Sequence, residues 1–217
     1  EPAPQVEMPA LGAPVQGGLV VIGSSTGGPR TLEEILGALP AAFPWPIVIA
    51  QHMPANFTRA FAERMDRICR LRVREVNKPL PLEQGHVYVG MGGGDVLIAE
   101  RGGRPYVLPR PESGGYLWHP SVSLLVCSAM HHFAPRQLVG VMLTGMGHDG
   151  AEEMSELKRA GGCTLAESKD TAVVFGMPNE LIRRGGASEV LPSHAIAATL
   201  TQWCTRTAAA QGTARWR

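Results

Sequence analysis

Short, unbroken apolar runs alternate with longer helical patterns along most of this 217-residue chain. The runs have strand length and are apolar on both sides, which is typical of a parallel sheet covered by helices on both faces. The predicted strands cover residues 19–22, 47–50, 71–76, 138–143, 164–166 and 189–191. The predicted helices between and after them cover residues 30–39, 56–68, 121–132, 151–160, 178–184 and 193–203. The alternation therefore predicts a doubly wound, mostly parallel α/β domain.

One central segment and both ends depart from this alternation. Residues 85–109 predict an antiparallel β-hairpin or meander, with turns at residues 92–95 and 102–104. Residues 1–17 have the Pro, Ala and Gly composition of a linker, and residues 205–217 are expected to form a flexible tail. The remaining residues, 18–204, are expected to form the domain. Because the chain begins with Glu1 rather than Met, we expect it to be part of a longer protein.

Composition excludes several classes of protein. With 44% hydrophobic and 18% charged residues the chain is not disordered, and a net charge of +1 argues against a dedicated nucleic-acid binder. No apolar run approaches the roughly 20 residues of a membrane helix, so we expect a cytoplasmic protein without membrane insertion. The four cysteines are solitary and stand in apolar stretches, which favours buried structural thiols over a metal or redox site.

The first predicted strand ends in Gly23-Ser24-Ser25-Thr26-Gly27, which matches the G-x-S-x-G pattern. A serine on a sharp strand-to-helix turn is exposed, and the amide that follows it can point at an oxyanion. A Gly- and Ser-rich loop at a helix start can equally hold a phosphate. The loop alone leaves both interpretations open.

Two further strand ends decide between these interpretations. His52 directly follows the second predicted strand, and residues 144–150 (TGMGHDG) follow another. Gly145, Gly147 and Gly150 fit the dinucleotide pattern G-x-G-x-x-G, but Asp149 would repel a pyrophosphate there. The same carboxylate would suit a histidine that needs its tautomer fixed. Ser25, His52 and Asp149 are therefore predicted to form a catalytic triad, in a chain order that differs from that of α/β-hydrolases.

The segments GSSTGG, AQHMP and LTGMGHDGA resemble the catalytic motifs of the chemotaxis protein-glutamate methylesterases of the CheB type. The resemblance spans about residues 18–200 and includes GHVYVGMGG, HPSVSLLVCSA and VVFGMPNELI. It implies hydrolysis of glutamate γ-methyl esters on chemoreceptor cytoplasmic helices, with deamidation of glutamines there as a second activity. It also implies the backbone amides of Thr26 and Met146 as the oxyanion hole. No metal or organic cofactor is implied.

The sequence departs from the family pattern at two positions. Ser123 stands where PSVD is usual, and Glu153 stands where DGA-x-G usually has glycine. The substitutions bear on substrate or regulatory contacts rather than on the triad. Relatives of this family usually carry a receiver domain, so we expect the chain to be a catalytic domain excised from a parent protein with such a domain; a naturally solitary domain is the alternative.

Other readings of the function and the surface remain. A nucleotide-binding module and a receptor-docking domain without hydrolysis are the two alternatives to an esterase. Arg59, Arg72 and Arg74 either attract an acidic receptor or are ordinary solvated charges.

Overall fold

The computed structural model describes residues 17–112 and 114–213, with side-chain burial described as far as residue 208. The residues of the predicted linker before Gly17 and the last four residues of the predicted tail lie outside these ranges. The described chain contains ten strands and six α-helices, which alternate except where the strands of residues 72–111 follow one another without a helix between them.

A seven-stranded sheet organises the domain, and all of its pairings are parallel. Its spatial order is β10-β9-β8-β1-β2-β5-β3. The strands are β1 (Leu19–Ser24), β2 (Ile47–Gln51), β3 (Arg72–Val76), β5 (His86–Gly90), β8 (Leu138–Met142), β9 (Cys163–Glu167) and β10 (Glu189–Leu191). β1, β2 and β8 are buried along their whole length, as their unbroken apolar sequences predict.

Helices cover both faces of this sheet. The six helices are α1 (Gly28–Ala38), α2 (Ala55–Ile68), α3 (Val122–His132), α4 (Ala151–Arg159), α5 (Met177–Arg183) and α6 (Ser193–Thr213). Helices α1, α2 and α6 share one buried apolar cluster with the sheet, whereas α3, α4 and α5 share another on the opposite face. The predicted doubly wound α/β fold is thereby confirmed.

The predicted hairpin at residues 85–109 is correct in its second half only. The β6 strand (Gly94–Arg101) and the β7 strand (Arg104–Pro111) form an antiparallel hairpin, and β7 also pairs with the short β4 (Leu80–Pro81). The strand before them, β5, instead lies between β2 and β3 in the parallel sheet. The segment predicted as a turn at residues 92–95 therefore connects one sheet to the other. The sequence of β5, HVYVG, is mainly apolar, which suits a strand buried on both faces of the parallel sheet.

Two further predictions fail in detail. Helix α6 continues to Thr213, well beyond the end predicted at Trp203, because the alanine-rich sequence that follows favours a helix. Cys127 and Cys163 are exposed, contrary to the expected burial, whereas Cys204 is buried. Burial raises the pKa of the Cys204 thiol to about 12, so it is not ionised at neutral pH.

Candidate active site

Ser25, His52 and Asp149 lie at the carboxyl edge of three adjacent strands. Ser25 directly follows β1 and His52 directly follows β2, and these strands pair with Ser24 opposite Gln51. Asp149 lies near the end of the loop that runs from β8 to α4, and β8 pairs with the other side of β1. β2, the next strand of this sheet along the chain, lies on one side of β1, and the later strand β8 lies on the other side. The site therefore lies at a topological switch point of the sheet.

A carboxylate–imidazole pair forms the buried end of the site. His52 Nε2 lies 2.8 Å from Asp149 Oδ2, and the two side chains are 9% and 3% exposed. Asp149 also accepts hydrogen bonds from the amides of Val122 (2.7 Å) and Ser123 (3.0 Å) and from the Ser121 hydroxyl (3.2 Å). Burial alone would raise the pKa of Asp149, but the hydrogen bonds from His52 and the two amides outweigh it, so the pKa lies below its ordinary value.

The second ring nitrogen of His52 is available for chemistry. Its Nδ1 is buried and meets no hydrogen-bond partner among the residues that the structure describes. Because Nε2 bonds a carboxylate, it carries the proton of the neutral ring, and Nδ1 is then an acceptor. His52 and Ser25 line the same open cleft of about 620 Å³, which extends along α2 to Phe57 and Phe61.

Gln51, the last residue of β2, ties the two loops together. Its side-chain Oε1 accepts a hydrogen bond from the Ser24 hydroxyl at 2.6 Å. Its Nε2 donates to the carbonyls of Ser25 (2.9 Å) and His52 (3.0 Å). Gly28 allows this arrangement, because any Cβ there would collide with the Gln51 amide. The Ser24 hydroxyl is thus buried and occupied, whereas Ser25 faces the cleft.

Thr144 connects the serine turn to the loop after β8. Its carbonyl accepts the Ser25 amide at 2.9 Å, and its hydroxyl donates to the Thr26 carbonyl at 2.8 Å. Its own amide donates to the buried Glu167 at 2.8 Å, and its hydroxyl accepts from the Val174 amide at 2.9 Å. These contacts fix the two loops relative to each other.

The two amides predicted as the oxyanion hole are free to donate. Neither Thr26 N nor Met146 N takes part in a hydrogen bond within the described part of the chain. Gly145, which precedes Met146, lies against Ser25, since a Cβ at Gly145 would come within 2.6 Å of Ser25 Cβ. The amide of Ser25 itself is occupied by Thr144, so it is not a candidate donor.

Sequence reasoning missed Gln51, Thr144 and Glu167. Gln51 and Glu167 end the mainly apolar strands β2 and β9, Thr144 lies two residues beyond the end of β8, and all three are buried. That position was the available signal, because a polar side chain buried at a strand end must hydrogen-bond to its neighbours.

The two departures from the family pattern contact each other beneath Asp149. The Ser123 hydroxyl donates to Glu153 Oε2 at 2.8 Å and accepts the Gly150 amide at 3.0 Å. Neither residue lines the cleft that holds Ser25 and His52. The pair therefore supports the loop that carries Asp149.

We expect Ser123→Asp to lower the free energy of unfolding by about 1–2 kcal/mol, because two carboxylates would then meet at Glu153. In the Glu153→Gln background the same substitution should cost markedly less. Chemical denaturation of the two single variants and the double variant measures this coupling. Equal costs in both backgrounds would contradict it.

The glycine pattern at Gly145, Gly147 and Gly150 does lie between a strand and a helix, as a dinucleotide site requires. The first turn of α4, however, carries Glu152 and Glu153. These acidic residues oppose a phosphate at the helix N-terminus. The local charge thus disfavours the nucleotide interpretation.

Exposed apolar side chains border the cleft. Phe57, Met146, Val173 and Leu117 are each more than half exposed. Phe57 lines the cleft and Val173 packs on Gly27, which also lines it. Leu117 precedes Trp118, whose ring stacks on His52, and Met146 follows Gly145, which lies against Ser25.

The arginines considered for attracting a receptor are partly paired. Arg59 lies 2.9 Å from Glu63, and Arg72 lies 4.0 Å from Asp66, both on the surface. These pairs favour the interpretation of solvated charges.

No cluster of three or more His, Cys, Asp and Glu side chains suited to a metal ion occurs within residues 17–112 and 114–213. No helix in the same ranges is long and apolar enough to cross a membrane.

Comparisons with known proteins identify relatives. A family model described as CheB methylesterase matches residues 20–200. A protein-glutamate methylesterase/protein-glutamine glutaminase of Rhodospirillum rubrum is 50% identical over 206 residues, which are 95% of this chain and 55% of the relative. A relative of the same description from Rhodopseudomonas palustris is 53% identical over 186 residues, 86% of this chain and 51% of that protein. The chain thus spans about half the length of these curated relatives.

The fold has a counterpart among solved structures. The crystal structure of the Thermotoga maritima CheB methylesterase catalytic domain matches with a TM-score of 0.82 at 38% sequence identity. The match covers 87% of this chain and 99% of that domain.

Proposed function

Because the chain belongs to the CheB methylesterase family, we propose that it hydrolyses glutamate γ-methyl esters on the cytoplasmic helices of chemoreceptors and releases methanol. The observation that carries the proposal is the buried His52–Asp149 pair, 2.8 Å apart, whose His52 lines one open cleft together with Ser25. Glutamine deamidation at the same site is part of the proposal, because the relatives' names include it.

In the proposed mechanism Ser25 is the nucleophile. Its Oγ attacks the ester carbonyl while His52 Nδ1 accepts the hydroxyl proton, and the buried Asp149 carboxylate stabilises the imidazolium. The imidazolium then protonates the departing methoxide, which leaves as methanol. The product of this half-reaction is a glutamyl ester of Ser25.

Water completes the cycle by the same route. His52 Nδ1 takes a proton from water, the hydroxide adds to the acyl carbonyl, and the proton returns to Ser25 Oγ as the glutamate leaves. The amides of Thr26 and Met146 hold the oxyanion in both half-reactions, at about 3–4 kcal/mol for each donor. An amide substrate follows the same steps and releases ammonia.

The apolar border of the cleft supports a protein surface as substrate. A methyl-esterified glutamate is uncharged, and its neighbours on a helix would contact the side chains around the cleft. The test of the function is methanol release from receptor membranes that carry methylated glutamates. Saturable binding of NAD or ATP in a calorimetric titration, without methanol release, would favour the nucleotide alternative instead.

We expect Leu117→Ser to raise KM for methylated receptor about three- to tenfold, because the exposed leucine loses apolar contact with the substrate protein. Hydrolysis of a small ester such as p-nitrophenyl acetate should be unchanged. Val190→Ser is the matched control, since Val190 is also an exposed apolar residue but lies on the edge strand β10. An unchanged receptor KM for Leu117→Ser would contradict this contact.

A further inference from the structure

The indole of Trp118 stacks on the imidazole of His52. The two rings are parallel to within 6°, with centroids 5.9 Å apart. Trp118 lies in the loop between β7 and α3, outside the segments that hold Ser25, His52 and Asp149. The indole thus lies in an offset parallel arrangement beside the ring that pairs with Asp149.

Trp118 is itself held from two sides. The indole and the exposed His148 ring are perpendicular, with centroids 5.2 Å apart. Gly147, in a left-handed conformation with φ of 85°, makes room for it, because a Cβ there would lie 2.8 Å from the indole. The next residue along the chain, His119, is fixed by a 2.9 Å contact with the buried Asp95.

The hydrogen bond to Asp149 alone does not fix the plane of the His52 ring. A ring anchored at Nε2 can still turn about the line from that atom to its Cβ, and such a turn would move Nδ1 away from the serine. The parallel indole opposes this rotation. An aromatic face within about 6 Å of a cation also favours the cation, and the ring becomes an imidazolium in each half-reaction.

We propose that Trp118 is a positioning residue for His52, which orients Nδ1 toward Ser25 and stabilises the imidazolium. The inference rests on the proposed function for its kinetic consequence, but its structural part does not. The role depends on an aromatic ring at position 118, so phenylalanine should preserve the orientation of His52, whereas leucine should not.

The experiment compares Trp118→Leu and Trp118→Phe with the wild type on p-nitrophenyl acetate and on methylated receptor. We expect Trp118→Leu to lower kcat about tenfold on both substrates with KM for the small ester nearly unchanged. Trp118→Phe should recover most of kcat. Trp203→Leu, which removes a half-buried tryptophan from α6 on the opposite face of the sheet, should behave as wild type.

A second readout does not depend on activity. The His52 Nε2 proton, which is held by Asp149, should give a downfield proton NMR signal in the wild type and in Trp118→Phe. In Trp118→Leu the signal should broaden or disappear, while the other signals remain those of a folded protein.

The outcomes separate the two proposals. An unchanged kcat and NMR signal in Trp118→Leu overturn the positioning role, as does a loss of kcat that phenylalanine fails to restore. If the wild type releases no methanol, the proposed function fails. The NMR comparison then still decides whether Trp118 holds the imidazole.

Discussion

Ser25→Ala is expected to reduce methanol release on the order of 10⁴- to 10⁶-fold without changing the fold. The hydroxyl is the only group removed, and Ser25 lies at the surface of the cleft, where a methyl group fits without strain. The measurement is the rate of methanol release from methylated receptor membranes, with circular dichroism to verify folding. Near-normal release by Ser25→Ala would move the nucleophile elsewhere.

The neighbouring serine supplies the matched control. Ser24→Ala removes a hydroxyl one residue away that is buried and bonded to Gln51. Because Gln51 keeps its bonds to the Ser25 and His52 carbonyls, we expect a loss of at most about tenfold. A larger loss for Ser24→Ala than for Ser25→Ala would indicate that Ser24, and not Ser25, is the nucleophile. A protein that docks on receptors without hydrolysis would be insensitive to both substitutions.

Asp149→Asn is expected to lower kcat by about 10⁴-fold. The carboxylate fixes the His52 tautomer with the proton on Nε2, and an amide that presents its NH₂ group to this nitrogen reverses the tautomer. Single-turnover measurements on a small ester test the chemical step directly. A loss confined to KM would argue against the orienting role.

The same substitution should also destabilise the fold. Both oxygens of Asp149 accept backbone amides, from Val122 and Ser123, so the NH₂ group of asparagine must face at least one N–H. An unsatisfied or opposed buried group of this kind costs about 1–3 kcal/mol.

The pH dependence of this loss has a definite sign. The folded pKa of Asp149 lies below the unfolded value of about 3.9, so the carboxylate adds stability above about pH 4. That contribution disappears as the pH falls through the folded pKa. The unfolding free energies of wild type and Asp149→Asn should therefore converge in acid. A constant gap between them across the acid range would contradict this account.

The fold class is predictable from the sequence because the strands of a parallel sheet are buried on both faces and are therefore apolar along their whole length. β1 and β2 read as apolar runs with glycine-rich or polar ends, and those ends hold Ser25 and His52. The same logic fails for β5, since a short apolar run beside a true hairpin resembles a hairpin strand. Only the pairing of β5 with β2 and β3 distinguishes the two cases.

Local sequence patterns do not predict contacts between loops that are far apart along the chain. Trp118 and His52 are far apart in sequence, and no periodicity links a loop tryptophan to a strand-end histidine. The hydrogen bond between Ser123 and Glu153 is likewise not predictable from the sequence, although each residue departs from the family pattern. Their contact follows from the packing of α3 beside α4, which depends on the tertiary fold.

The orientation of the His52 ring sets how much variation each side of the site tolerates. Nδ1, the nitrogen nearer the main chain, has a short reach, so its partner must come from a strand directly alongside, at a spacing of about 4.8 Å. A one-residue slip between β1 and β2 would therefore separate nucleophile and base. The far nitrogen reaches Asp149 in the loop after β8, and the same loop packs Gly145 against Ser25 and Gly147 against Trp118. A change in the length of this loop would therefore displace the carboxylate and both of these contacts together.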